Sequence, residues 1–235
     1  LSAKTLLEAA QSGTWFGKAD RLSANHRYKW PIINEVSNAA SKPKTIEPVY
    51  LAAIQQYAIK SSCIKLATQI IRQRRSAQQF DGNASLLPST DFYRMLAAVL
   101  PTTAVFDLWR WPPQIHLFIF VHRIEGLTPG IYALPRSPDV LETLQSATLV
   151  EFDWLKVSDA IPLYHLHAGD YRQVAKTLSC HQSIASDRAF SLGMIAEFSE
   201  NIDVTPWHYR RLFWECGLIG QVLYLEAEAL GVRGT

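Results

Sequence analysis

Apolar positions along the chain follow two different periods, and each predicts its own kind of element. Ile64, Ala67, Ile70 and Ile71 recur at helical spacing and run directly into Arg72, Arg74 and Arg75, so a helix is expected to end in charge. After the turn "DGN", Phe92, Met95, Leu96 and Val99 form a second helical stripe, which Ser89 or Thr90 can cap and Pro101 stops. Between them and the middle of the chain the period changes. "QIHLFIFVHRIEGLTPGIYALP" is apolar and β-branched on both sides of a Gly/Pro turn, which predicts two strands joined as a hairpin. "ATLVEFDWL" reads as a further short strand and "RAFSLGMIAEF" as a strand or helix, whereas residues 171–186 read as helical.

The longest periodic segment lies in "TPWHYRRLFWECGLIGQVLYLEAEALG". Thr205 suits an N-cap, Pro206 the first helical position, and Tyr209, Leu212, Phe213, Cys216, Ile219, Leu223, Tyr224, Ala227 and Leu230 keep the helical period up to Gly231. A helix of about 25 residues, roughly 37 Å long, follows from a rise of 1.5 Å per residue. Its width and apolarity suit a core or a subunit interface. Gly217 and Gly220 inside it would each cost up to ~1 kcal/mol against alanine, which suggests close approach by another backbone. At the other end of the chain, Leu6, Leu7 and Ala10 mark a short helix. The rest of residues 1–60 is rich in Gly, Pro, Ser and Asn and reads as an arm or linker ahead of a domain at 61–235.

Composition narrows the function classes. A formal charge of +2 on 235 residues is too small for a dedicated nucleic-acid or membrane-surface binder, so an anion site has to be local. The longest apolar run, "IHLFIFV", falls far short of the ~20 residues that span a bilayer, and a soluble chain is expected. Three scattered cysteines argue against a disulfide framework and for a reducing, cytoplasmic home. The first residues lack the pattern of a signal peptide, and a start at Leu rather than Met reads as a piece of something longer.

The candidate chemistry centres on "IIRQRRSAQQFDG". Guanidinium forks beside a hydroxyl can grip a phosphate through charge-assisted bonds, but a run of like charge is more often a solvated helix face, and spacing alone leaves both open. His165, His167, Cys180 and His181 are of zinc-ligand type without a recognised spacing. Cys180 or Cys63 as a nucleophile lacks an activating motif, and Cys216 falls on the apolar stripe. Trp109, Trp111, Trp154 and Trp207 read as packing residues rather than as a platform for bases.

"RQRRSAQQF" resembles the Arg-x-Ser-x-Arg/Lys-x-Phe motif of flavin-dependent proteins of the nitroreductase superfamily. "HRIEGLTPGIYAL" is similar to the hairpin of its peptide-azoline dehydrogenase branch, and "YRRLFWECGLIGQVLYLEAEALGVRGT" to the family's long helix. "ADRLSANHRYKW" resembles the connector between halves of tandem members. The resemblance implies an α+β fold with a central, mostly antiparallel sheet flanked by helices, FMN as cofactor, and a homodimer or tandem pseudo-dimer that shares the long helix. It implies a hydride exchanged with a nicotinamide donor such as NAD(P)H or with a small-molecule or peptide substrate. Arg74 and Ser76 take the positions that reach the flavin phosphate, with Arg75 between them; Gln78 stands where the family has a basic residue near the pyrimidine ring; Gln114, in "PPQIHLFIF", would lie near the isoalloxazine. The family's helix is followed by a strand that this chain, ending at "GVRGT", would lack. The uncharged Gln78 and that ending raise an alternative, a domain without flavin that serves as the structural partner of an active half.

Overall fold

The structure, a computed structural model, describes residues 3–18, 20, 25, 28–47, 50, 63–82, 86–106 and 108–235; the connector-like stretch 19–30 lies mostly outside them. The chain divides into two units, Leu1–Asn38 and Ala39–Thr235. The first contains helix α1 (Ala3–Ser12), as Leu6, Leu7 and Ala10 predict, and most of α2 (Pro31–Ala39). Their larger apolar side chains, among them Leu6, Ile33 and Val36, are exposed.

The second unit is built on a five-stranded antiparallel sheet. Its strands are β1 (Ile115–Val121), β2 (Gly130–Leu134), β3 (Leu155–Lys156), β4 (Tyr164–Ala168) and β5 (Phe190–Ala196), in the spatial order β3-β4-β2-β1-β5. The predicted hairpin is present, with Leu117 opposite Leu134 and Val121 opposite Gly130. Around the sheet lie α3 (Ala67–Gln73), α4 (Ser89–Ala98), α5 (Leu141–Ser146), α6 (Arg172–Leu178), α7 (Ile184–Asp187), α8 (Ser199–Val204) and α9 (His208–Ala229). The apolar sequence of β1, broken only by His116, reflects its interior place between β2 and β5. Ile115, Leu117, Ile119 and Val121 face a core shared with Phe92, Met95 and Leu96 of α4 and Leu212, Ile219 and Val222 of α9, while His116 on the opposite face is equally buried. Among the described residues no helix is long and apolar enough to cross a membrane.

Several elements depart from the sequence reading. "ATLVEFDWL" forms turns and contributes only Leu155 to a two-residue strand, and the strand that pairs with β2 is β4, "YHLHA". Residues 171–186 hold two short helices rather than one, because Cys180 and His181 take left-handed backbone angles of 55° and 61°. The ambiguous "RAFSLGMIAEF" resolves to strand β5, since its alternate residues join the core beside β1.

Helix α9 has 22 residues and starts two positions later than predicted, at His208 rather than Pro206. Thr205 does not cap it: its hydroxyl pairs with the His208 ring nitrogen Nδ1 at 2.8 Å, and Trp207 takes the N-cap place without a side-chain bond. The far end is as expected. Gly231 adopts φ +79°, and the amides of Gly231 and Val232 close back on the carbonyls of Glu228 and Ala227, the reciprocal pair that satisfies a helix C-terminus and reverses the chain. Within the helix, a Cβ on Gly217 or Gly220 would meet nothing within 4 Å, so among the described residues no element makes the expected close approach.

Two polar networks fasten α9 to the rest of the unit. Buried Arg211 pairs with Glu47 and lies over the Trp111 ring at 4.5 Å, while Trp111 donates to the same carboxylate at 2.8 Å. These bonds hold Glu47 down to about 2. Deeper in the core, Glu215 pairs with Arg136, and both side chains are shielded from water. Arg136 also donates through Nε to the carbonyl of Val99 at 2.7 Å and through Nη1 to that of Ile115 at 3.0 Å, and its backbone N–H donates to His116 Nδ1 at 3.0 Å.

Candidate functional site

The segment "RRSAQQFD" does not continue α3. Arg74 leaves the helix with extended angles (φ −52°, ψ 124°), its amide still bonded to the Ile70 carbonyl at 2.9 Å, and residues 74–81 then run along one wall of a cavity of about 1240 Å³. The opposite walls come from Leu223, Tyr224 and Ala227 of α9, Met95 of α4, and Leu192 and Met194 of β5. The turn after Gly231 brings the chain back, so that the Ala77 amide donates to the Gly234 carbonyl at 2.8 Å and Arg233 joins the lining. The volume exceeds the ~300–1,000 Å³ typical of small-molecule sites, as suits a long groove.

The lining carries five arginines (Arg74, Arg75, Arg123, Arg188 and Arg233) against three aspartates (Asp81, Asp91 and Asp187), a formal excess of two positive charges. The arginines differ in what their donors already do. Arg123 donates to the carbonyls of Gly82 and Asp187, and Arg188 to that of Ile184 at 2.7 Å while lying 5.2 Å over the Phe80 ring, so both tie loops together. Burial draws the Arg188 guanidinium below its usual range. Arg75 turns Nη1 onto the carbonyls of Arg72 and Arg74, at 2.9 and 2.8 Å. Arg74 behaves differently: its guanidinium carbon lies 4.9 Å from the centre of the Tyr224 ring. The Tyr224 hydroxyl is in turn 2.9 Å from Ser76 Oγ. Stacking engages the face of a guanidinium and leaves its in-plane N–H groups available to an anion.

The structure therefore brings Arg74, Arg75, Ser76 and Gln78 into one cavity. Gln114 is not part of that lining; its backbone N–H is bonded to Glu215 Oε2 at 3.0 Å, at the start of β1. Of the alternative chemistry, His165 and His167 lie on β4 and Cys180 and His181 in the turn between α6 and α7. Among the described residues no group of three His, Cys, Asp or Glu side chains is placed to hold a metal ion. Sequence reasoning missed Tyr224 and Arg233 as site residues. Tyr224 was legible only as one more member of an apolar stripe, and Arg233 carries no local motif.

An anionic, partly flat ligand such as FMN fits this chemistry. Arg74 and Ser76 offer donors of the kind a phosphate needs, and Leu192, Met194 and Leu223 give an apolar wall. Ser191, also in the lining, is buried with its hydroxyl unpartnered, a polar atom that a ligand could satisfy.

No family model and no curated protein matches the sequence. Among solved structures, the chain is similar to a crystal structure at 1.80 Å resolution of an Anabaena variabilis ATCC 29413 protein, provisionally described as a nitroreductase. The TM-score is 0.52 and the identity 18%, over 70% of this chain; the match spans only 30% of the length of that protein. The fold of the second unit is thus α+β and nitroreductase-like, with an antiparallel sheet flanked by helices.

Proposed function

We propose that the chain is an FMN-dependent oxidoreductase domain of the nitroreductase type. The observation that carries this reading is the pairing of Arg74 with Ser76 in the wall of a large cavity, within a nitroreductase-like fold. Bound there, FMN would supply hydride transfer through N5 to or from an organic substrate, an azoline ring in a peptide, a nitroaromatic or a quinone, with NAD(P)H as a suitable donor. Arg74 and Ser76 would hold its phosphate, Gln78 would offer an amide to the flavin ring, and the apolar wall would limit the access of water.

Arg74→Ala is expected to weaken FMN binding about 10- to 100-fold, since a charge-assisted bond is worth about 1.5–3 kcal/mol; partial exposure of Arg74 favours the lower end. Because the side chain lies outside the core, the circular dichroism spectrum should not change. Equal affinities of wild type and variant in a flavin titration would remove the phosphate grip.

A second reading, a flavin-free structural partner of an active half, draws on Arg75, whose Nη1 is turned onto its own chain, and on the uncharged Gln78. It predicts no flavin absorbance in protein equilibrated with excess FMN and then desalted, where the enzyme reading predicts a yellow protein.

The partner surface belongs to α9. Phe213 and Trp214 are 60% and 56% exposed, beside the open backbone at Gly217, and we assign this face to a second copy of the chain or to a tandem partner domain. Phe213→Glu with Trp214→Glu should lower the mass seen by light scattering while the melting temperature of the domain stays within a few degrees. An unchanged assembly mass would move the interface elsewhere.

A further inference from the structure

The cavity contains one residue whose two contacts converge on the phosphate-gripping pair. The Tyr224 ring underlies the Arg74 guanidinium at 4.9 Å, and the Tyr224 hydroxyl meets Ser76 Oγ at 2.9 Å. Arg74 and Ser76 belong to an extended segment that no strand of the sheet holds in register, whereas Tyr224 sits in the last two turns of a 22-residue helix whose Ile219, Val222 and Ala227 are buried in the core. A side chain on a rigid element thus holds two on a less constrained one, as a precise binding site requires. Gly234 lies close to the same ring: a Cβ added there would stand 3.8 Å from Tyr224 Cδ1.

We infer that Tyr224 is a positioning residue that sets both donors of the anion grip, an assignment that rests on the FMN reading above. The two contacts act in different ways. Either hydroxyl of this pair can donate; the assignment takes the phenol, the more acidic of the two, as donor to Ser76 Oγ, which leaves the Ser76 O–H for an anion. The ring keeps the Arg74 guanidinium within 4.9 Å of its centre and so limits the side chain's rotamers, leaving N–H donors for phosphate oxygens. Without the ring, the long Arg74 side chain would surrender its rotamer freedom only on binding, and affinity would fall by that ordering cost. Without the hydroxyl, Ser76 could rotate and lose about one neutral hydrogen bond's worth of orientation. The ligand group recognised is a phosphate monoester, and the part of the ligand beyond the phosphate is indifferent to Tyr224.

The test compares two flavins that differ only in that group. FMN and riboflavin are titrated into wild type, Tyr224→Phe, Tyr224→Leu, Ser76→Ala and the double variant Tyr224→Phe/Ser76→Ala, by quenching of flavin fluorescence. Tyr224→Phe should bind FMN about five-fold more weakly, the equivalent of one neutral hydrogen bond, and Tyr224→Leu several-fold more weakly again, with riboflavin affinity unchanged in both. The double variant should be no weaker than Ser76→Ala alone, because both act through one hydroxyl. Loss of FMN and riboflavin by the same factor, or additive effects in the double variant, would overturn the assignment and leave Tyr224 a packing residue. Wild type that binds FMN no more tightly than riboflavin would overturn the phosphate grip itself, and the assignment with it. Tyr224→Phe retains the whole ring, so a folding defect in Tyr224→Leu would not blunt the comparison.

Discussion

Replacing Glu215 by alanine is expected to cost about 3–5 kcal/mol of folding stability, a large part of the ~5–15 kcal/mol that holds a domain together. The reason lies in what it leaves behind. Arg136 is 2% exposed, and its guanidinium, 4.8 Å over the Phe106 ring, has Glu215 as its one ion-pair partner among the described residues. Burial pushes the Glu215 carboxyl up and draws the Arg136 guanidinium down, each opposed by the partner's charge, so the intact pair adds little net energy. Removing one member strands the other without water, and that desolvation is not offset. The loss also frees the Gln114 amide, which donates to Glu215 at 3.0 Å, and loosens the junction where the end of α4, the start of β1 and the middle of α9 meet. Urea unfolding should show the drop, with the melting temperature lower by roughly 10 °C. Replacing both charges, Arg136→Met with Glu215→Leu, should recover most of it. A loss below about 1 kcal/mol in Glu215→Ala would mean that water or another group already neutralises Arg136.

Acid should weaken the protein through His116. Its Nδ1 accepts the Arg136 N–H at 3.0 Å and so must stay unprotonated, and burial, aided by the Arg136 charge, lowers its pKa to about 4. An unfolded imidazole protonates near 6.5, so between about pH 6.5 and 4 the unfolded chain holds the extra proton and stability falls as pH falls. Above 6.5 this contribution is complete; below about 4 it is gone, and its size is on the order of 3 kcal/mol. Glu215, shifted up, acts in the opposite direction, so the informative quantity is the difference from His116→Asn, whose amide oxygen can accept the same bond without titrating. Wild type should lose stability relative to this variant as urea unfolding is repeated from pH 7.5 to 4.5. Parallel profiles would show that His116 protonates in the folded state without penalty.

Neither network is visible in the sequence. Arg136 and Glu215 are 79 positions apart, and nothing in the residues around either announces a partner. What could be read was periodic. β1, β2, α4 and the body of α9 each bury a continuous stripe, and a stripe is a local property. β4 escaped although "YHLHA" alternates apolar and polar residues, because five residues are too short a run to stand out and the histidines read as ligand candidates; pairing with β2 makes it a strand. The break between α6 and α7 depends on left-handed angles at Cys180 and His181, residues that carry no such preference in their composition. At the candidate site, Arg74 and Ser76 stand in one local motif, whereas Tyr224 meets Ser76 across 148 positions, a contact no local pattern announces, and Gln114 lies outside the cavity lining.

The pairing of β5 has a kinetic consequence. β1 and β2 are neighbours in sequence and can zip together early, but β5 reaches β1 only after the whole β2–β4 region and two helices have been threaded between them, with Val121 opposite Phe190. Closing so long a loop is an entropic cost that precedes its reward, so β5 should dock late in folding and, by the same reasoning, detach first in partial opening. Its far edge has no strand beside it among the described residues, and Leu192 and Met194 are walls of the cavity. The site is then assembled by the last step of folding, and a ligand bound there would act as a latch on that step. Hydrogen exchange at the amides of residues 190–196 should be the fastest in the sheet's long strands and should slow the most when FMN is added.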